Sequence, residues 1–224
     1  MGATVVIRIP LGLTSAFLIK GEKTILVDTG VPSTIRRIRH AMDANGVKAS
    51  DVSLIVLTHG HADHAGGANA AREITGAKIA MHKDCAERLS RGLLPDARPR
   101  TGMSCLLEKL FGRMMKVAPV QPDIVIGDEF DLTPFGVEGK AVSTPGHTTG
   151  CVSILLKDGQ AVVGDLLMGK ARGTKAGLPM FLWDLIALKK SLYRVINAKP
   201  RIIHNAHGPS CTLDACCRLV DSIH

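Results

Sequence analysis

The feature that most constrains this chain is a run of six residues that holds four side chains able to bind a metal ion. A short apolar segment at residues 54–57 precedes the run, and two glycines and an alanine-rich segment follow it. This pattern predicts a buried strand, a loop and then a helix, and loops that leave a strand commonly carry chemistry. The four side chains are His59, His61, Asp63 and His64. Imidazole and carboxylate groups bind zinc and similar ions, and a group this dense is costly to bury without one, so the run predicts a metal site.

Four further short motifs occur where predicted strands end. They are Asp-Thr-Gly at residues 28–30, Thr-Pro-Gly-His-Thr-Thr-Gly at 144–150, Gly-Asp at 164–165 and His-Gly at 207–208. With the His-x-His-x-Asp-His run at residues 59–64, they resemble in kind and order the motifs of the metallo-β-lactamase-fold hydrolases. The resemblance extends over residues 4–210, and its closest branch is the glyoxalase-II and lactonase-like one. One such motif alone is weakly indicative, whereas five in order are highly specific.

The resemblance implies a fold. It implies one metallo-β-lactamase-fold domain over residues 1–224, of the α/β (α+β) class, built as a four-layer αββα sandwich. Periodicity alone predicts two strand-rich halves with flanking helices, which fits either α/β or α+β. The fold is therefore an expectation that rests on the resemblance.

The resemblance also implies which residues bind metal. Two divalent ions are expected, with zinc as the preferred metal and iron or manganese as alternatives. The implied ligands are His59, His61 and His147 for one ion, Asp63, His64 and His207 for the other, and Asp165 as a bridge between them. We predict that the two carboxylates, Asp63 and Asp165, are catalytic as well as ligating. We further expect Asp28 to accept a hydrogen bond from a ligand imidazole and to fix its tautomer.

These ligands imply a hydrolase. A water shared by two divalent ions ionises near neutral pH, and the resulting bridging hydroxide would attack an ester, thioester or lactone bond of a small molecule. Met168 stands where acyl-homoserine-lactone lactonases carry a tyrosine, so a lactone is not preferred over the other bonds. An oxidoreductase with a single iron, resembling the persulfide dioxygenases of the same fold, is the alternative.

Charge and composition bear on partners. The chain carries 28 basic and 20 acidic residues, which favours an anionic partner, but only one Trp, one Tyr and five Phe. Few aromatic platforms are therefore available for stacking bases, and we expect a small-molecule substrate and no nucleic acid. Two basic segments, at residues 92–122 and 169–179, are predicted to wall the metal cleft. We expect Lys170, Arg172 and Lys175 to favour an anionic substrate, with apolar contact from Met114, Met115 or Phe181.

The segment at residues 92–122 differs from the rest of the chain. Prolines bracket a predicted helix at residues 104–117 that is rich in Met, Leu and basic residues. We interpret it as an insertion between the two halves of the fold. Its helix either packs on the core as an ordinary surface helix or serves as a lid over the site or a homodimer surface. The glycine-rich segment at 169–179 is predicted to be a loop.

The sequence predicts a cytoplasmic protein that does not enter the membrane. No apolar run approaches the length of about 18 residues that a membrane span needs, and the first ten residues lack the pattern of a signal peptide. The six cysteines form no Cys-x-x-Cys pair. We expect them to be reduced thiols.

Overall fold

The structure is a computed structural model that describes residues 4–111 and 117–223, apart from the side chains of Leu107, Glu108 and Phe111. Two β-sheets stack face to face in it, and helices cover the outer face of each sheet. The predicted αββα sandwich is therefore confirmed.

The first sheet has six strands in the order β1-β2-β3-β4-β5-β7. They are β1 (Val5–Pro10), β2 (Ser15–Lys20), β3 (Thr24–Val27), β4 (Val52–Val56), β5 (Lys78–His82) and β7 (Ile124–Ile126). The first three are antiparallel, and β3, β4, β5 and β7 are parallel. Parallel strands end at one edge of a sheet, so the segments that follow β3 and β4 lie side by side.

The second sheet has five strands in the order β15-β11-β10-β9-β8. They are β8 (Glu129–Asp131), β9 (Gly139–Ser143), β10 (Val152–Leu156), β11 (Gln160–Val162) and β15 (Ile202–His204). β10 pairs antiparallel with β11, and Asp158 and Gly159 lie in the turn between them. Only β11 and β15 are parallel in this sheet, so both end at the same edge.

Helices and short strands complete the described chain. The helices are α1 (Ile35–Ala44), α2 (Ala62–Ala65), α3 (Ala68–Thr75), α4 (Lys83–Leu89), α5 (Gly102–Phe111), α6 (Leu185–Asn197) and α7 (Leu213–Asp221). The short strands are β6 (Arg98–Pro99), β12 (Met168–Lys170), β13 (Lys175–Gly177) and β14 (Phe181–Leu182). Among the described helices, none is long and apolar enough to cross a membrane.

Strand periodicity explains the layers. Leu54 and Val56 on β4 face the core between the sheets, whereas the alternate residues Ile55 and Leu57 face the core beneath α1, α3 and α4. On β11, Val162 faces the second sheet's inner side and Ala161 faces α6 and α7. Each fully buried aliphatic side chain contributes about 1.5–3 kcal/mol of transfer free energy. A continuous apolar run such as residues 54–57 therefore becomes a central strand with helices on one side and a sheet on the other.

Two expectations about elements need correction. Residues 169–179 are not a plain loop, because β12 and β13 pair there as a two-stranded hairpin. Glycine and lysine have low strand propensity, so the residue types here do not indicate strands. The backbone groups of the two segments can nevertheless form hydrogen bonds with each other. The predicted helix at 104–117 is present as α5, which begins earlier, at Gly102, and residues 112–116 lie outside the described part.

The segment at residues 92–122 is attached beside the site. Its strand β6 pairs with β14, with Phe181 opposite Pro99 and Leu182 opposite Arg98. Arg100 strengthens this contact, because its backbone N–H donates to the carbonyl of Met180 at 3.0 Å. Met114 and Met115, predicted to contact substrate, fall outside the described residues. The role of the segment as a lid or a dimer surface stays a prediction, as does the single domain.

His204 is buried in a neutral hydrogen-bond network at the end of β15. Its Nε2 lies 3.1 Å from the amide oxygen of Gln160, which can only accept, so the ring donates there and accepts from the Ser210 hydroxyl at 2.8 Å. Arg8 donates to the same hydroxyl at 3.4 Å. Burial, with the positive charge of Arg8, lowers the pKa of His204 to about 4.

This network predicts a pH-dependent stability. The unfolded imidazole has a pKa of about 6.5, so between pH 6.5 and 4 the unfolded chain binds the extra proton and the free energy of unfolding falls as pH falls. We expect the His204→Gln variant to lose less stability over this range than the wild type, by on the order of 1–3 kcal/mol. Urea denaturation at a series of pH values measures this difference. The exposed His40→Gln is the control, and equal slopes for His204→Gln and the wild type would contradict the expectation.

Candidate metal centre

The predicted ligands come from five places in the chain and meet at one edge of the sandwich. His59 and His61 follow β4, and Asp63 and His64 lie on the short helix α2 that begins directly after them. His147 follows β9, Asp165 follows β11 and His207 follows β15. All seven side chains lie in three overlapping groups whose ligand atoms fall within 4.8 Å of one another. The structure thus brings together all seven predicted metal ligands.

The first group consists of three imidazoles. Nε2 of His59 lies 3.0 Å from Nδ1 of His61 and 3.2 Å from Nε2 of His147, and the last two atoms are 3.0 Å apart. Three ring nitrogens in a triangle cannot all be joined by hydrogen bonds. Each nitrogen of a neutral imidazole either donates or accepts, so at least two of the three are of the same kind. Tetrahedral zinc with nitrogen ligands at about 2.0–2.1 Å places those nitrogens about 3.3 Å apart, close to the observed spacing.

The second group combines carboxylates with imidazoles. Nε2 of His64 lies 3.5 Å from Asp63, and Nε2 of His207 lies 3.6 Å from the same carboxylate. Asp165 lies between the groups, with Oδ1 3.4 Å from His64 and Oδ2 3.2 Å from His207 and 3.7 Å from His147. Its Oδ1 is buried without a hydrogen-bond partner among the described residues. A buried carboxylate oxygen that nothing satisfies is what an ion-binding site presents.

Backbone carbonyls orient two of the imidazoles. Nδ1 of His147 donates to the carbonyl of Phe181 at 2.7 Å, and Nδ1 of His207 donates to the carbonyl of Leu13 at 2.7 Å. A carbonyl oxygen can only accept, so each neutral ring keeps its lone pair on Nε2, which faces the centre. The sequence does not reveal these partners, because every residue has a carbonyl.

Asp28 orients two more imidazoles. Its Oδ2 accepts from Nδ1 of His64 at 2.8 Å, as the sequence predicts, and from the hydroxyl of Thr58 at 2.8 Å. That hydroxyl lies 3.1 Å from Nδ1 of His59 and can accept its proton. Asp28 is buried with a left-handed backbone, at a φ of 59°, which asparagine and aspartate tolerate better than most residues. Thr58 is a functional residue that motif reasoning missed, although it directly precedes the first ligand.

The protonation states match the geometry. Burial lowers the pKa of His147, and it lowers the pKa of His59 and of His61 well below the ordinary value, so all three rings are neutral and able to bind an ion. For His64, burial acts downward, but the carboxylates of Asp165, Asp63 and Asp28 outweigh it and raise the pKa to about 10. For Asp165, burial acts upward, but nearby imidazoles hold the pKa well below its usual range. The carboxylate side of the centre therefore favours a positive charge.

The donor set fits divalent metal ions. One end of the centre consists of neutral imidazoles, and the other end combines carboxylates with imidazoles. Asp165 lies close to residues of both ends. Such nitrogen and oxygen sets suit zinc, iron or manganese, and the geometry does not choose among them. Divalent metal binding is the chemistry that this cluster supports.

The predicted basic wall is only partly adjacent to the centre. The hairpin β12–β13 begins beside it, since the N–H of Gly169 donates to the carbonyl of His207 at 3.0 Å. Lys170 pairs with Lys175 at the other end of the hairpin, and Arg172 lies in the turn beyond them. That end packs on the segment leading into α7, where Thr212 donates to the carbonyl of Gly173. An anionic preference that arises from these three cations stays a prediction.

Comparisons with known proteins identify the family of this chain. A family model described as "Metallo-beta-lactamase superfamily" matches residues 9–207. The chain is 30% identical over 198 residues to the "Beta-lactamase-like protein 2 homolog" of Drosophila melanogaster, which covers 88% of this chain and 59% of the fly protein. It is 28% identical over 180 residues to a "Probable metallo-hydrolase" of Methanocaldococcus jannaschii, which covers 80% of this chain and 78% of that protein. This chain therefore spans less than two thirds of the length of the fly relative.

Solved structures share the fold. An archaeal metallo-beta-lactamase superfamily protein from Sulfolobus tokodaii matches with a TM-score of 0.69 at 22% identity, covering 98% of this chain and 86% of that chain. A metallo-beta-lactamase from Cronobacter sakazakii matches with a TM-score of 0.65 at 22% identity, covering 90% of this chain and 74% of that chain. At such identities the similarity bears on the fold alone.

Proposed function

The chain belongs to the metallo-beta-lactamase superfamily, and from that premise we propose that it is a dinuclear metal-dependent hydrolase of small molecules. The bond cleaved is an ester, thioester or lactone. Superfamily membership and relatives named as metallo-hydrolases support a metal-dependent hydrolase in general. The dinuclear centre and the bond type are the proposal.

One observation carries the dinuclear proposal. Asp165 lies between two groups of side chains, and its two oxygens are within 3.2–3.7 Å of imidazoles from both. A buried carboxylate placed in this way would serve as a ligand shared by the two groups. A site for a single ion would not need the second group, which consists of Asp63, His64 and His207.

The roles divide between the two ends of the centre. His59, His61 and His147 would hold one ion, Asp63, His64 and His207 the other, and Asp165 both. When bound, the ions would polarise the carbonyl oxygen of the substrate and lower the pKa of water so that it attacks near neutral pH.

The chain itself supplies the orientation. Asp28 fixes His64 directly and His59 through Thr58, whereas two backbone carbonyls fix His147 and His207. The rings of His59, His64 and His147 are buried, and none of the four rings can turn without breaking its hydrogen bond. A centre held in this way needs little rearrangement when substrate binds.

Metal analysis and loss of metal test this proposal. We expect protein purified without added metal to contain close to two transition-metal ions per chain. Chelation is expected to abolish hydrolysis of a panel of esters, thioesters and lactones, and added zinc to restore it. His207→Ala is expected to reduce the content to about one ion, because it removes a ligand from only the second group. One iron per chain with no hydrolysis would contradict the proposal and favour the oxygenase.

The partners follow from the same proposal. A small molecule is the substrate, and nucleic acid and membranes are not partners of the site. A cytoplasmic location stays a prediction, and a homodimer stays the alternative to a lid for the segment at residues 92–122.

A further inference from the structure

The turn between β1 and β2 lies at the mouth of the metal centre. The N–H of Leu11 donates to the carbonyl of Thr14 at 2.9 Å and closes the turn. Two of its residues touch ligands, since the carbonyl of Leu13 accepts from His207 and the hydroxyl of Thr14 lies 3.5 Å from Nε2 of His64. One side of the turn is therefore part of the centre.

The side chain of Leu13 projects into solvent at this mouth. It is 93% exposed, more than any other large hydrophobic residue in the described part. The carbonyl of Leu13 is held by His207, so this hydrogen bond keeps the residue beside the centre. An exposed apolar group beside a metal centre is placed to contact an apolar part of a substrate.

A guanidinium lies on the other side of the same turn. Nη1 of Arg37, from the first turn of α1, lies 4.0 Å from the position that a Cβ would occupy on Gly12. Gly12 has a φ of 113°, a conformation that glycine adopts without strain, and the missing side chain leaves room above the turn. Gly12 and Thr14 are separated by at most about 7 Å of chain, so the cation lies one turn away from the ligands.

Arg37 has no partner within the described ranges. Arg72, Arg88, Arg194 and Arg218 are paired with carboxylates, whereas no described side chain or carbonyl bonds to the exposed guanidinium of Arg37. A planar guanidinium binds carboxylate or phosphate oxygens through two parallel hydrogen bonds. Its five donors are available for such a group.

We propose that Arg37 recognises an anionic oxygen group at the far end of the substrate, and that Leu13 contacts the apolar segment between this group and the scissile bond. The substrate class is an ester or thioester of a medium-length acid that carries a terminal carboxylate or phosphate. This inference rests on the proposed hydrolase function. It assigns specificity to α1 and the β1–β2 turn rather than to the hairpin that carries Lys170, Arg172 and Lys175.

Matched substrates test the role of Arg37. The aryl ester of hexanoic acid and the aryl monoesters of hexanedioic acid and 6-phosphonohexanoic acid share a chain and differ at the far end. We expect Arg37→Gln to lower kcat/KM for at least one anionic ester by about 10- to 100-fold and to change the neutral ester less than about threefold. Whichever anionic ester loses more identifies the group.

Arg39 provides a control on the same helix. It is exposed, carries the same charge and has no partner in the described part of the chain. Two residues of an α-helix turn about 200°, so Arg39 faces away from the β1–β2 turn. Arg39→Gln is expected to leave the preference between the esters unchanged. If both variants weaken the anionic esters equally, general surface charge causes the preference and the proposal is wrong.

A binding measurement separates this proposal from the hydrolase function. Calorimetric titration of the metal-loaded protein with hexanedioate needs no turnover. If Arg37→Gln binds hexanedioate at least about tenfold more weakly than Arg39→Gln, the role of Arg37 is supported. This holds even if neither variant hydrolyses an ester, because the absence of hydrolysis would overturn only the hydrolase function. Equal binding to the two variants would overturn the role of Arg37 and leave hydrolysis of the neutral ester standing.

Discussion

Asp165→Ala is expected to abolish hydrolysis and to weaken both ions at once. One carboxylate lies between the two groups of ligands, so its removal takes a ligand from each. Removal of an outer hydrogen-bond partner of a ligand costs about 10- to 100-fold, and the loss of a shared ligand should cost more than the upper end of that range. Kinetics on the best substrate of the panel, together with metal content after dialysis, measures both effects.

A surface aspartate gives the control for this variant. Asp221 lies at the end of α7 and is exposed, so Asp221→Ala is expected to keep full activity and two ions. Asp165→Asn keeps the size of the side chain and removes its charge. We expect this variant to lose nearly as much hydrolytic activity and bound metal as Asp165→Ala. Full activity in Asp165→Ala would contradict the dinuclear centre.

Asp28→Asn is expected to weaken metal binding by about 10- to 100-fold without a ligand being changed. The carboxylate accepts three hydrogen bonds, two from Thr58 and one from His64. Asparagine has one oxygen, so its NH₂ group would face a donor at one of these positions. Because asparagine tolerates the left-handed backbone of residue 28, the fold should persist.

Competition with a chelating dye measures this loss of affinity. Asp43→Asn, at an exposed position on α1, is the matched control and is expected to bind metal like the wild type. Circular dichroism of Asp28→Asn should match that of the wild type. An unchanged affinity in that variant would show that the imidazoles hold their orientation without Asp28.

The motifs made much of this fold predictable, because they mark the ends of strands that meet at one edge. The seven candidate ligands could be named from residues such as His59 and Asp165, whose types and order carry the chemistry. The carbonyls of Leu13 and Phe181, which orient two rings, could not be found in this way, because a carbonyl carries no sequence signal. The pairing of β12 with β13 was missed for a related reason, since its residues have no apolar alternation.

The spread of the centre along the chain has a consequence for folding. His207 follows His59 by 148 residues, and the two come from different sheets of the sandwich. Contacts so distant in sequence form late, because the closure of long loops costs entropy that local contacts do not. The metal ions would therefore bind only after folding, because the complete set of ligands exists only when the two halves of the chain have packed together. Binding that favours the native state alone slows unfolding and adds to stability by mass action, so metal supply would set the lifetime of this protein as well as its chemistry.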